Sequence, residues 1–264
     1  MPFLKANNIN LYYEQHGQGE SLVLIPGFGG THANWLGIVP QLQQHFLVTI
    51  FDPRGAGQSD APAGPYDIAT LAADLAELLE ALKINRTHVC GQSMGGMIAQ
   101  YFAIHYPQHL NKLILSSTTA RPISYRFTYL NKLNGLMVAN GLPIELVLRN
   151  VFFSLMSRKF LQDEARVETV LKFAVEQAKL AKPEGRAGQF AAIVNHHCSE
   201  RELARIKAPT LVLAGDDDLT VDSHEALFLA EHINGAKAVI FKDCGHILAL
   251  EEPEKFVKQL VEFL

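Results

Sequence analysis

The 264-residue sequence predicts an α/β fold: an open, mostly parallel central sheet flanked by helices, with a helical cap inserted between two parts of the sheet. Three observations carry this prediction. Short apolar runs alternate with helix-like stretches along most of the chain, the pattern of repeated βαβ connections. Several runs, such as Leu211-Val212-Leu213, are continuously apolar, as strands buried on both faces require. Between about 120 and 205 the alternation lapses into helical pattern, and strand pattern resumes at Ala208-Pro209-Thr210.

Strands are expected at 9–14, 21–25, 46–51, 87–90, 112–116, 210–214 and 237–241. The clearest helix is 67–83, where Ile68, Leu71, Ala72, Leu75, Leu78, Leu79 and Leu82 form one stripe and Asp67 is placed to cap the N-terminus. A second helix runs from Met94 to Tyr106 and stops before Pro107, and the last, 253–263, opens on Pro253. The segments 1–119 and 206–264 are thus read as the core and 120–205 as the cap, with breaks at Pro143, Pro183 and Gly185. Open α/β sheets bind ligands beyond the C-terminal ends of their strands, so a cap placed there roofs a site.

A hydrophobic content of 48% supports a large core. The net charge of −4 and the lack of a basic run argue against nucleic acid or an anionic membrane surface as partner. The start MPFLKANNIN has no signal-peptide core, and no apolar stretch reaches the roughly 18 residues of a membrane helix. A soluble, cytoplasmic chain is expected, with no membrane partner and with homo-oligomerisation left open. Cys90, Cys198 and Cys244 are widely spaced without a C-x-x-C pair, which suggests reduced thiols rather than a disulfide framework or metal site.

Two glycine-rich stretches carry candidate chemistry. Ile25-Pro26-Gly27-Phe28-Gly29-Gly30 follows an apolar strand, where backbone N–H groups can meet negative charge. A dinucleotide fingerprint would need a third glycine at His32, and Gly55-Ala56-Gly57 likewise ends at Asp60; no P-loop G-K-[ST] is present. Gly91-Gln92-Ser93-Met94-Gly95 is a weak motif alone, but it joins the strand Thr87–Cys90 to the helix from Met94. That strand–turn–helix setting is what a nucleophile elbow requires: small neighbours around a strained serine, and a free N–H of Met94 at a helix N-terminus.

A nucleophilic serine needs a base, and the base needs an orienting acid. Of eleven histidines, His105 and His109 flank Pro107 at a helix end, and His196 and His197 are expected at a wet surface or cap lining. His246, in Asp243-Cys244-Gly245-His246, lies between the last strand and the last helix and is the base candidate. The acid is expected within Asp216-Asp217-Asp218, where a turn or capping aspartate is the plainer reading of any one; Ser116-Ser117-Thr118-Thr119 after the earlier strand offers no carboxylate.

Over nearly its full length the chain resembles the α/β-hydrolase family, through "PGFGG" (26–30), "DPRGAGQSD" (52–60), "GQSMGGMIA" (91–99) and "GHILALEEPEKF" (245–256). Within it, "APAGPYDIATLAADLAELLEAL", "CGQSMGGMIAQYFA" and "LILSSTTAR" are similar to the 3-oxoadipate enol-lactonase branch of carboxylesterases. The resemblance implies Asp218 as the acid, ahead of Asp217 and Asp216, although the proline usual four residues on is Asp222 here. It implies a structural turn, without catalytic role, for Asp52 and Arg54. Pro26 stands where most relatives carry histidine; it has no N–H to brace the loop.

The implied chemistry is hydrolysis of a small-molecule carboxylic ester or lactone. Ser93 attacks the carbonyl, His246 moves the proton, Asp218 fixes the imidazole, and the N–H groups of Phe28 and Met94 form the oxyanion hole. It implies no metal or organic cofactor. Carbon–carbon hydrolysis of ring-cleavage products, cofactor-free perhydrolysis, and a non-enzymatic small-molecule receptor remain alternatives on the same fold.

Overall fold

Eight strands form one sheet in the computed structural model, which describes residues 3–264. They are β1 (Phe3–Ala6), β2 (Ile9–His16), β3 (Glu20–Ile25), β4 (Phe46–Phe51), β5 (Thr87–Gln92), β6 (Leu110–Ser116), β7 (Thr210–Gly215) and β8 (Lys237–Phe241). Their spatial order is β1-β2-β4-β3-β5-β6-β7-β8. The pairs β1–β2 and β2–β4 are antiparallel, and all others are parallel. The seven expected strands are all present, each within two residues of the expected ends. The eighth, β1, is a four-residue edge strand too short to show a period. Its one sequence signal is Asn7-Asn8, two residues with φ of 45° and 64° that close a tight hairpin onto β2.

The continuous apolar runs are explained by the two cores. Successive strand residues point to opposite faces. Leu22 and Leu24 of β3, Ile114 of β6 and Leu211 and Leu213 of β7 pack on one side with Trp35 and Phe256. Val23, Ile25, Leu113, Leu115 and Val212 pack on the other with Leu75 and Phe102. An alternating strand would leave one of these faces wet.

The helices are α1 (Val39–Leu42), α2 (Ile68–Ala81), α3 (Met94–His105), α4 (Tyr125–Ala139), α5 (Ile144–Leu155), α6 (Arg158–Leu161), α7 (Glu164–Ala178), α8 (Pro183–Val194), α9 (Glu200–Leu203), α10 (His224–His232), α11 (Leu248–Glu251) and α12 (Pro253–Phe263). Asp67 caps α2, accepting from the Thr70 N–H at 2.7 Å. The apolar stripe of α2 also holds Asp74, buried at 1% exposure. Its carboxylate takes Nε and Nη2 of Arg54 at 2.8 and 2.6 Å. Burial pushes the Asp74 carboxyl up, and the Arg54 hydrogen bonds pull against that shift.

Helices α4 to α9 lie between β6 and β7, and within them Phe152, Met156, Phe160 and Leu171 form a small apolar cluster of their own. Pro143 and Pro183 mark helix starts, as expected: Pro143 is the N-cap of α5 and Pro183 the first residue of α8. The break expected at Gly185 is absent. Gly185 lies inside α8, buried, where its backbone packs on that of Gly55 so closely that neither position has room for a Cβ. The glycine serves helix-to-loop approach rather than helix termination. No helix among the described residues is long and apolar enough to cross a membrane.

Strand order places the site. The chain steps from β3 to β4 on one side, then returns to β5 on the other side of β3. The loops leaving β3 and β5 therefore part at a switch point, where open α/β sheets leave a crevice.

Candidate active site

Ser93 is the single residue between β5 and α3. Its φ of 55° and ψ of −117° lie where non-glycine residues rarely sit, at a cost of about 1–3 kcal/mol. Neighbouring contacts hold it there. The Ser93 N–H donates to the Ser116 carbonyl at 2.9 Å, and the Ser93 carbonyl accepts from Thr118 Oγ1 at 2.7 Å and from the Gly96 N–H at 2.9 Å. The turn is too tight for larger neighbours: a Cβ on Gly91 would strike the Gly95 carbonyl, and one on Gly95 the Ile25 carbonyl.

The structure separates the three adjacent aspartates. Asp216 is exposed. Asp217 turns to the helical insertion, accepting from the Arg158 N–H at 2.6 Å and from its Nε at 3.0 Å. Asp218 is buried; its Oδ1 accepts from the N–H groups of Thr220 and Val221 at 2.7 and 2.9 Å, and its Oδ2 lies 2.7 Å from Nδ1 of His246. His246 is 3% exposed, and its N–H donates to the Leu155 carbonyl at 2.7 Å. No hydrogen bond joins Ser93 Oγ to His246 Nε2. Among the described residues neither atom has a hydrogen-bond partner, and neither is sealed from solvent. Contacts of this kind commonly tighten only with substrate bound.

The glycine-rich loop abuts the serine: a Cβ on Gly27 would stand 3.2 Å from Ser93 Cβ. Among the described residues, the N–H groups of Phe28 and Met94 have no protein acceptor. Side chains from elsewhere in the chain brace this loop. The Gly29 N–H donates to Oε1 of buried Gln189 on α8 at 2.9 Å, and Gln189 Nε2 donates to the Arg54 carbonyl at 2.8 Å. At the far end of the loop, buried Asp52 accepts from the His32 N–H at 2.8 Å and sits 2.6 Å from its Nδ1. The Phe28 ring lies 6.2 Å from those of both Phe127 and Phe190.

Sequence reasoning missed these braces. It used His32 only as a non-glycine, and it could not see Gln189, because a buried glutamine bonding a loop 160 residues away leaves no local pattern. It also missed Glu251, whose carboxylate accepts from the N–H groups of Gly245 (3.1 Å) and Ser157 (3.2 Å), tying the His246 loop to the insertion. Burial pushes the Glu251 carboxyl up, and those hydrogen bonds oppose the shift.

The two histidines expected at a wet surface or the cap lining differ in burial. His197 is exposed, but His196 is only 8% exposed and its Nε2 has no partner among the described residues. Burial lowers its pKa to about 4. The unfolded chain takes up this proton near 6.5, so the unfolded state binds more protons between those values. Stability should therefore fall as pH drops from 6.5 to about 4, by up to roughly 3 kcal/mol, and the loss from this group ends below pH 4. Urea melts at pH 7.5 and 5 should show the drop, and His196→Gln should make it smaller.

A protein-family model described as alpha/beta hydrolase fold matches residues 20–253. The chain belongs to that family. As an α/β hydrolase it is 29% identical over 255 residues to 3-oxoadipate enol-lactonase 2 of Acinetobacter baylyi, covering 96% of this chain and 92% of the relative. It is 27% identical over 269 residues to 2-hydroxy-6-oxo-2,4-heptadienoate hydrolase of Pseudomonas putida, covering 98% and 94%. The crystal structure of the enol-lactonase from Burkholderia xenovorans superposes with a TM-score of 0.89 at 28% identity, covering 99% of each chain. Hydrolases thus surround this chain within the family, but they differ in the bond they break.

Proposed function

We propose that this α/β hydrolase cleaves a small-molecule carboxylic ester or lactone through an acyl-enzyme on Ser93, in the manner of the enol-lactonases it resembles. The observation that carries the reading is the 2.7 Å contact between Asp218 Oδ2 and His246 Nδ1 beside the strained Ser93 turn. With Nδ1–H donated to Asp218, the imidazole presents Nε2 as a base. Ser93 Oγ attacks the carbonyl carbon as Nε2 takes its proton, and the new oxyanion accepts from the N–H groups of Phe28 and Met94. The imidazolium, stabilised by Asp218, then protonates the leaving oxygen. Water repeats the sequence on the acyl-enzyme and frees the acid. Apart from that water and the substrate, each step uses groups of this chain.

We read 120–205 as a cap over this site. Contacts at two places support that reading: Gln189 of α8 on the glycine-rich loop, and the Leu155 carbonyl on the His246 N–H. A cap fastened to both halves of the machinery would set the pocket's shape and exclude water.

A substrate panel tests the proposal: p-nitrophenyl esters of increasing chain length, several lactones and a ring-cleavage dienoate. Turnover of esters or lactones is expected. No turnover of either would sink the ester reading, and turnover of the dienoate alone would move the assignment to carbon–carbon hydrolysis.

A further inference from the structure

We propose that His32 is a positioning residue for hydrolysis: its imidazole works as a cation clamped between Asp52 and Glu14, and so fixes the far end of the loop that presents the Phe28 N–H. The inference deepens the serine-hydrolase reading and rests on it.

The clamp joins three segments of the chain. His32 follows the tight turn of the loop, in which the Gly30 N–H donates to the Gly27 carbonyl at 3.0 Å. One oxygen of Asp52, Oδ1, takes both the His32 N–H (2.8 Å) and Nδ1 (2.6 Å), so backbone and ring are fixed at one point. Asp52 stands directly after β4, and its Oδ2 accepts from the Gln58 N–H at 2.7 Å. On the other side of the ring, Nε2 lies 3.6 Å from Oε1 of Glu14 on β2. Two further β2 side chains hold Glu14 in place, the Tyr12 hydroxyl at 2.7 Å and Nε2 of His16 at 2.9 Å. The Tyr12 ring also packs beside that of His32, with centroids 4.7 Å apart.

This arrangement fits one protonation state. Either neutral tautomer of His32 turns a bare lone pair toward one of the two carboxylates, acceptor against acceptor. Only the imidazolium presents an N–H to both. The ring is 12% exposed and the Asp52 side chain is fully buried. Burial works against the charged ring, but the Asp52 hydrogen bond and the charges of Asp52 and Glu14 outweigh it and hold the His32 pKa above the ordinary histidine value. Burial also pushes the Glu14 carboxyl up, yet the bonds from Tyr12 and His16 and the charge of His32 bring it below the usual carboxylate range.

The loop carries this constraint to the chemistry. Gln189 holds it at Gly29, the clamp holds it at His32, and Gly27 touches Ser93. The oxyanion exists only in the transition state, so a loosened Phe28 donor should lower kcat and leave KM alone. The charge on His32 is complete below about pH 6.5 and is lost as pH rises through the raised pKa. The clamp therefore opens on the alkaline side.

The test measures kcat and KM for p-nitrophenyl butyrate from pH 6 to 10, beside an NMR titration of the His32 ring, identified by its absence in His32→Asn. Wild-type kcat is expected to fall by about tenfold on the alkaline side, less than the hundredfold or more that losing an oxyanion donor costs. Its midpoint should match the His32 titration. His32→Asn keeps a donor for Asp52 without the charge. Buried Trp35, three residues on, still anchors the segment, so the variant should melt like a folded protein. It is expected to lose about tenfold in kcat at pH 6.5 and to show no alkaline fall. Glu14→Gln leaves His32 in place and should move the kinetic and NMR midpoints down together. A merely structural His32 would lower kcat equally at every pH. An alkaline limb unchanged in His32→Asn, or an NMR midpoint at or below 6.5, would overturn the proposal and leave the serine-hydrolase reading standing.

A second arm needs no turnover: hydrogen exchange at the Gly29 and Gly30 amides, which are bonded to Gln189 and Gly27. Faster exchange in both His32→Asn and Glu14→Gln supports the clamp even if no ester is hydrolysed, in which case only the serine-hydrolase reading fails. Unchanged exchange in both variants would remove the clamp.

Discussion

Ser93→Ala is expected to lower kcat for ester hydrolysis by roughly a millionfold, the scale seen when a triad serine is removed. Residual turnover would come from binding and the oxyanion donors alone. The variant should fold. Ser93 Oγ has no hydrogen-bond partner among the described residues, and the contacts that hold the turn go through the Ser93 N–H and carbonyl, which alanine retains. A thermal melt close to the wild type beside lost turnover would separate a chemical role from a structural one. Substantial residual turnover would place the chemistry elsewhere.

Asp218→Asn carries the second large effect, a fall in kcat of roughly ten-thousandfold. The substitution is nearly isosteric. An asparagine Oδ1 can still accept from the Thr220 and Val221 N–H groups, so the turn survives. Its amide, however, would point donor hydrogens at His246 Nδ1. The imidazole would then carry its proton on Nε2 and could no longer act as base toward Ser93. Asp217→Asn is expected to loosen only the contact to Arg158, and Asp216→Asn to do little, because that side chain is exposed. A larger loss at Asp216 than at Asp218 would overturn the assignment.

The strands were legible because burial on two faces writes a continuous apolar run, and β3 and β7 show why: alternate residues feed separate cores. The helix α2 was legible down to its cap because Asp67 and its stripe are local features. Helix interruptions were less so. A glycine reads the same whether it ends a helix or, like Gly185, lets the helix touch a loop at Gly55. For the site, motif and chain order singled out Ser93 and His246. Among three adjacent aspartates, local sequence could not say which turns inward, because that depends on Thr220, Val221 and Arg158 taking up the neighbouring oxygens. Least legible were the contacts between distant segments. Gln189 on Gly29, Glu251 on Ser157 and Arg186 over Phe28 each join residues far apart in sequence, and none follows from a local pattern.

The central claim is that Ser93 is the nucleophile, activated by His246 held by Asp218. A fluorophosphonate probe tests it most directly, since it phosphonylates an activated serine irreversibly. After reaction, peptide mass mapping is expected to find one equivalent of adduct on Ser93, with activity lost in proportion. Labelling should be absent in Ser93→Ala and strongly slowed in Asp218→Asn. An adduct on another residue, or an active enzyme that takes no label at Ser93, would contradict the account.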